Sequence, residues 1–294
     1  MSEDVVATGV VVGADGSEAG NAALRWAADA AAAHHLPLTV VHARPDVEGV
    51  VREIRGGSDV LSAAAEVVRP RHPELTVRTL QYPEPPVQTL LAAGEAADFI
   101  VIGSRGLGGF GGLLVGSTAM QVAPYAPCPV VVVHAEREDT TDGRHAGDVV
   151  LGYDGSAAAN RASAFAFRHA RAVGGAVVVV SVDPGRGDPE VHDVQAGGAV
   201  PGSDTGAFQA PLLVTAESFP DVPVKFVAGT GRPAEVLIQE SRGCELLVVG
   251  PRGRGGFAGL IMGSVSQKVL AHAATPVAFV HAGTPAKAAA GLPD

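Results

Sequence analysis

The sequence predicts an α/β protein built as two tandem doubly wound domains, each a parallel sheet between two layers of helices. Three observations carry this. Short β-branched runs alternate with Ala-rich helical stretches along the chain, as strand–helix–strand units with right-handed crossovers require. The composition, 47% hydrophobic but only 4% aromatic, suits buried Val- and Ile-rich strands under Ala-rich helices better than a β-sandwich. Third, one Gly-rich stretch occurs twice. It reads Gly103-Ser104-Arg105-Gly106-Leu107-Gly108-Gly109 and ends in Gly116-Ser117-Thr118. It then reads Gly250-Pro251-Arg252-Gly253-Arg254-Gly255-Gly256 and ends in Gly263-Ser264-Val265-Ser266.

The first repeat opens with a β-branched strand at 10–12 that leaves through Gly13, Ala14, Asp15 and Gly16. Ser17 is placed to cap the Ala-rich helix 19–33, with Glu18 in its first turn. Pro37 closes the connection to a second strand at 38–43, and the polar, aperiodic residues 44–57 read as a surface loop. Ser58 can cap a helix reaching about residue 69, and 75–80 reads as a third strand. The stretch from Pro83 to Pro86 opens a helix over 87–96, since proline fits a first helical turn. A fourth strand at 98–102 runs into the Gly-rich stretch, a helix covers 117–125, and 128–134 is the fifth strand.

The second repeat follows the same order: strands at 149–152, 176–182, 222–227, 245–249 and 276–281, with helices at 157–173 and 233–242. The charged residues 137–146 read as a linker between a first domain, 1–136, and a second, 147–283, with 284–294 as a flexible tail. Aligning Asp15 with Asp154 and Gly103 with Gly250 leaves extra residues in the second repeat. Their natural host is 183–205, rich in Gly, Pro and Asp, where a mobile loop is expected.

The formal net charge of −10 argues against a broad nucleic-acid surface. The start of the chain has no basic segment leading into an apolar core, and no apolar run approaches the ~20 residues that span a bilayer. Two lone cysteines, Cys128 and Cys244, fit a reducing compartment. The expectation is a cytoplasmic protein that binds neither nucleic acid nor membrane.

Each Gly-rich stretch lies between a strand and a helix start, where backbone N–H groups can gather around phosphate. Gly103, Gly106 and Gly116, with Gly250, Gly253 and Gly263, let the backbone approach a ligand closely. Ser117 and Ser264 begin helices, and Arg105 and Arg252 could offset phosphate charge, with Arg254 an added cation in the second copy. Asp15 and Asp154 end the first strand of each repeat, where a carboxylate suits ribose hydroxyls or a divalent cation. Two plainer readings stand beside these. The glycines could simply make turns, and the aspartates could form Asx turns or cap the next helix.

The order V-x-G-x-D-G-S, a helix, G-x2-G-x9-G-S and a C-P-V or T-P-V strand resembles the universal stress protein family over nearly the whole chain, as two copies of its ATP-binding branch. The resemblance implies two five-stranded parallel sheets of order 3-2-1-4-5 in an α/β/α sandwich, with ATP as ligand together with Mg2+. Carried residue by residue, it implies a first site at Gly13, Asp15, Ala43, Gly103, Arg105, Gly106, Gly116 and Ser117. It implies a second at Gly152, Asp154, Val182, Gly250, Arg252, Gly253, Gly263, Ser264 and Ser266. Intervening loop residues Ser104, Leu107, Gly108, Gly109, Thr118, Pro251, Arg254, Gly255, Gly256 and Val265 complete the two candidate sets. The family's G-S-V-[ST] ending survives as Gly263-Ser264-Val265-Ser266 but becomes Gly116-Ser117-Thr118-Ala119 in the first copy, so a weaker first site is expected.

No Walker A lysine, H-E-x-x-H or G-x-S-x-G accompanies these loops, and no residue beside them reads as a general base. The expected function is an ATP-binding stress-response regulator with slow or no hydrolysis; the alternative is an enzyme that uses the nucleotide for slow hydrolysis or for phosphoryl or adenylyl transfer. His134 and His281 match between repeats and read as packing or interface residues. In the family the fifth strand often pairs with its like, so 129–133 and 276–280 are expected to pair within the chain as a pseudo-dimer, and a homodimer of chains is possible.

Overall fold

The computed structural model describes residues 6–45, 52–53, 60–107, 115–135, 143–184, 190–194, 205–253 and 262–281. The first repeat contains β1 (Gly9–Gly13), α1 (Glu18–Ala33), β2 (Leu38–Ala43), β3 (Arg52–Glu53), α2 (Val60–Val68), β4 (Val77–Tyr82), α3 (Pro86–Gly94), β5 (Ala97–Gly103), α4 (Ser117–Tyr125) and β6 (Val130–Val133). The second contains β7 (Val149–Gly152), α5 (Ala157–Val173), β8 (Val177–Pro184), β9 (Glu190–Val194), α6 (Thr205–Glu217), β10 (Val224–Gly231), α7 (Pro233–Glu240), β11 (Leu246–Val249), α8 (Ser264–His272) and β12 (Val277–Phe279).

Local chemistry explains the helix starts. The Ser17 hydroxyl accepts from the Gly20 N–H at 3.0 Å, and Ser156 accepts from Ala159 N–H at 3.1 Å, so both long helices carry the expected N-cap. α5 ends on Gly174 in the left-handed region at φ 73°, a conformation open to glycine at no steric cost. Pro86 and Pro233 sit at the first turns of α3 and α7.

Within each repeat the parallel strands lie in the expected order, β4-β2-β1-β5-β6 and β10-β8-β7-β11-β12. The two sheets then join. β6 pairs antiparallel with β12, with Val131 opposite Ala278, and a single twelve-stranded sheet results. Two layers of apolar side chains cover it, and each layer draws on both repeats. One contains Trp26, Phe99 and Val131 with Phe165, Phe167 and Ala278; the other contains Leu90, Ile100 and Val130 with Leu237, Leu247 and Phe279. Fully burying each such side chain contributes roughly 1.5–3 kcal/mol before entropy is set against it, so the joined core is the main source of cohesion.

Three features depart from the expectations. The third strand lies at Val77–Tyr82, two residues beyond the expected start and end. The span 44–57 contributes a short strand, β3, antiparallel to β4. Within the span 183–205, where a loop was expected, the described residues 183–184, 190–194 and 205 belong to regular elements. β8 runs on to Pro184, β9 pairs antiparallel with β10 through Val191 opposite Gly229, and α6 begins at Thr205; the rest of that span lies outside the described residues, as do 284–294. β9 was hidden because Glu190, His192 and Asp193 read as loop polarity, yet an edge strand with one solvated face carries just such residues. α6 was hidden by Pro211 within it and by an apolar pattern that buries Leu212 while leaving Leu213 and Val214 exposed.

Of the expected linker, 143–146 fall within the described residues, and they dock on the second repeat. His145 is buried and places Nε2 3.0 Å from Glu240 Oε2, while Arg144 donates to the same oxygen at 3.0 Å. Glu240 is itself buried, so these two groups supply the pairing its carboxylate needs.

Candidate functional site

At the C-terminal ends of β1, β2 and β5, where the order reverses, the first repeat holds a cavity of about 580 Å³. This is the crevice that doubly wound sheets offer to ligands, and the volume falls in the ~300–1,000 Å³ range of small-molecule sites. Gly13, Asp15, Ala43, Gly103, Ser104, Arg105, Gly106, Leu107, Gly116, Ser117 and Thr118 all line it, together with His42 and Leu90. Gly108 and Gly109 lie outside the described residues.

The loops are held together through Asp15. Its Oδ1 accepts from the Ser17 N–H at 2.9 Å, closing an Asx turn, and its Oδ2 accepts from the Leu107 N–H at 3.2 Å. The Asx-turn reading of this aspartate is therefore met, and the same carboxylate also clasps the Gly-rich loop. Gly106 is needed for the clasp, since a Cβ there would lie 2.6 Å from Asp15 Oδ2. Gly103 packs against α1, where a Cβ would meet the Gly20 nitrogen at 2.8 Å. The Ser17 hydroxyl also donates to the Arg105 carbonyl at 3.3 Å.

α4 enters through Gly116, whose N–H donates to the Ser104 carbonyl at 2.6 Å, and no side chain caps this helix. Its first amides thus face the cavity mouth with the positive end of the helix dipole. The exposed Arg105 lies beside His134, whose pKa is held below the usual histidine value by burial, partly offset by the backbone of Leu270 and reinforced by Arg105. His42 closes one wall. Its Nδ1 lies 2.6 Å from the Ala14 carbonyl, which can only accept, so that nitrogen carries the proton.

The second repeat reproduces the frame with different polar groups. Asp154 Oδ1 accepts from the Ser156 N–H at 3.0 Å, and a Cβ at Gly253 would strike Asp154 Oδ2. A Cβ at Gly152 would meet Leu237 and Val249 at 3.1 Å, and one at Gly250 would meet Ala158 at 2.7 Å. The Gly263 N–H donates to the Pro251 carbonyl at 2.8 Å and leads into α8, again with no side-chain cap, so Ser264 is the first residue of that helix. Arg252 is exposed beside His281, and Val182 stands opposite Gly229 in the parallel β8–β10 register. Val265 packs on the apolar layer beneath. Arg254, Gly255 and Gly256 lie outside the described residues.

Two differences were not visible in the sequence. Ser181, at the place of His42, directs its hydroxyl to the Tyr153 carbonyl at 2.8 Å. Ser266 is buried and donates to the Gly250 carbonyl at 2.9 Å, tying α8 to the strand exit. Ser266 therefore serves the frame of the cleft, and Ala119, its buried counterpart, makes no such bond. Among the described residues no cluster of three or more His, Cys, Asp or Glu could hold a metal ion.

The comparisons agree with this architecture. The model of the universal stress protein family matches twice, over residues 8–134 and 146–281. A universal stress protein of Mycobacterium tuberculosis is 35% identical over 300 residues, covering 94% of this chain and 98% of its own length. One from Mycolicibacterium smegmatis is 34% identical over 300 residues, covering 95% and 99%. Among solved structures, a universal stress protein from Archaeoglobus fulgidus superposes with a TM-score of 0.58 at 19% identity, covering 93% of this chain and 98% of that one. With a family match over each repeat and relatives aligned nearly end to end, this chain belongs to the universal stress protein family in its tandem, two-domain form.

Proposed function

We propose that the protein is an ATP-binding regulator with one nucleotide site per repeat, in which occupancy sets conformation or partner choice. The first cavity carries this reading: an uncapped helix N-terminus, a Gly-lined approach and a carboxylate clasp meet in a crevice of nucleotide size. ATP phosphates belong at the first turn of α4 and of α8, with Arg105 and Arg252 as counter-charges. The ribose belongs beside Asp15 and Asp154, and the base toward Ala43 and Val182. Mg2+ enters on the phosphates and keeps most of its waters, as that ion prefers. The Asp15 and Asp154 carboxylates are already engaged by backbone N–H groups, which favours a nucleotide held more than consumed.

The test is the nucleotide carried by the native, full-length protein, identified and counted by mass analysis after gentle purification. Intact adenine nucleotide at up to two per chain supports the proposal. Empty clefts that also fail to take up added Mg-ATP in calorimetry overturn it. Multiple turnover of labelled ATP, abolished in a Gly106→Ala plus Gly253→Ala variant, would replace it with the enzyme reading.

A further inference from the structure

His134 and His281 stand at matching exits of β6 and β12, and the nucleotide reading leaves both unused. Their setting follows from the sheet. β6 runs parallel to β5 and antiparallel to β12, so the two clefts lie at opposite ends of the joined sheet. α4 starts at the first cleft and its last turn reaches the end where β12 exits; α8 starts at the second cleft and its last turn reaches the end where β6 exits. Val133, just before His134, accepts from the Ser104 N–H in the wall of the first cavity at 2.7 Å. Val280, just before His281, donates to the Val249 carbonyl at 3.1 Å, next to Gly250. Each ring is thus set between the arginine of its own cleft and the last turn of the helix that begins at the other. His134 lies between Arg105 and the Leu270 backbone of α8, and His281 between Arg252 and the Ala123 and Pro124 backbone of α4. Neither nitrogen of either ring reaches solvent or makes a hydrogen bond. A buried N–H left without an acceptor destabilises the folded state, yet the arrangement occurs twice. Burial comes first in keeping both imidazoles neutral; the helix-turn backbone favours the charged ring, and the arginine opposes it.

We propose that His134 and His281 tie the filling of each cleft to the uptake of a proton and to the docking of the opposite helix. An anionic ligand beside Arg105 cancels the field that keeps a proton off His134. The ring takes a proton from solvent, becomes an imidazolium and donates to the backbone carbonyls that close α8, a helix end that attracts cations. His281 does the same for α4 when the second cleft fills. When the ligand leaves, the proton returns to solvent. The inference rests on the nucleotide reading and adds to it a regulator, pH, and a route from each cleft to the helix of the other. The occupied protein holds the proton more tightly than the empty one. Affinity therefore rises as pH falls through the histidine range, at and below 6.5, and is level above it.

Calorimetry of Mg-ATP binding to the full chain at pH 6, in two buffers of different ionisation enthalpy, counts the protons. The parent is expected to take up protons, to a limit of about one per filled cleft, and to bind at least about threefold tighter at pH 6 than at pH 8. A His134→Gln plus His281→Gln variant is expected to bind without that uptake, and His134→Gln alone to lose the share of the first cleft. Equal proton counts in the parent and the double variant overturn the proposal and leave the nucleotide reading standing. Should the double variant fail to fold, the histidine ring resonances of the parent decide: both rings are expected to titrate at higher pH with Mg-ATP than without, and an unchanged titration overturns the proposal. Hydrogen exchange at the last turns of α4 and α8 is expected to slow on filling at pH 6 more than at pH 8; equal slowing at both overturns the helix docking. Failure of the parent to bind Mg-ATP at either pH overturns the nucleotide reading, and this inference with it.

Discussion

His34 on α1 and His169 on α5 meet across the boundary between the repeats, with Nε2 of the first 3.0 Å from Nδ1 of the second. His169 is fully buried, stacks on Trp26 with ring centroids 5.4 Å apart, and has its Nε2 3.9 Å from Glu245. Trp26 donates to Glu245 at 3.0 Å, again from one repeat to the other. The short contact between the two histidines requires one of the facing nitrogens to carry a proton and the other to accept it. A histidine at the end of α1 could oppose the helix dipole as a cation, but the surroundings of His34 prevent it: burial, then His169, Arg168, Arg171 and His35, lower its pKa to about 3.

The sign of the pH dependence follows. The unfolded chain takes up a proton at the ordinary histidine value near 6.5 that the native His34 refuses until about pH 3, so stability is complete above 6.5 and is lost as the pH falls toward 3. His134 and His281, both lowered by burial, act in the same direction. Thermal melts from pH 7.5 to 5 should show a falling Tm, and His34→Gln should flatten the slope. A Tm that stays level over this range in the parent protein would refute the account.

The Asp15 clasp predicts a specific lesion. In Gly106→Val the new side chain displaces the carboxylate from the Leu107 N–H, and nucleotide affinity of the first cleft should fall more than tenfold. Unfolding by urea should change by no more than about 1 kcal/mol, because Gly106 and Leu107 are exposed. Calorimetry beside a urea titration separates the two effects.

Ser266→Ala removes a buried bond to the Gly250 carbonyl and should destabilise the protein by about 1 kcal/mol while weakening the second cleft. The converse is Ala119→Ser, where a hydroxyl can reach the Gly103 carbonyl in the same way. That substitution should strengthen the first cleft. Equal affinities of the two clefts in the parent would contradict the expectation of a weaker first site.

At the docked linker, His145→Ala leaves the buried Glu240 carboxylate with Arg144 as its remaining partner of this pair. A loss of about 2–3 kcal/mol in urea unfolding is expected, below the ~3–5 kcal/mol for stripping the partner of a buried charge because Arg144 stays on the same oxygen. Glu240→Gln, which keeps the shape and removes the charge, should cost less than His145→Ala.

The parallel framework was legible because its causes are local. Val- and Ile-rich runs, N-cap serines and turn glycines recur twice, and the helices Ser117–Tyr125 and Ala157–Val173 fall where their residues predict. What was not legible depends on contacts distant in sequence. β9 exists because β10 offers an edge, α6 because Leu212 finds a place in the core, and the neutrality of His34 because α5 lies against it. Within the cleft, the residue types at Ser104 and Ser266 look alike in sequence. Only their surroundings distinguish a hydroxyl bonded to a strand exit from one left unpaired.

The β6–β12 pairing also decides how the fold responds to dilution. A dimer of single repeats would assemble by mass action, and its stability would fall as protomer concentration fell. Here the strand that Val130–Val133 must meet travels on the same polypeptide, held nearby at a high effective concentration however scarce the protein becomes. The pairing of the two halves therefore adds no concentration dependence of its own to the midpoint of unfolding, and it survives at copy numbers that would leave separate halves apart.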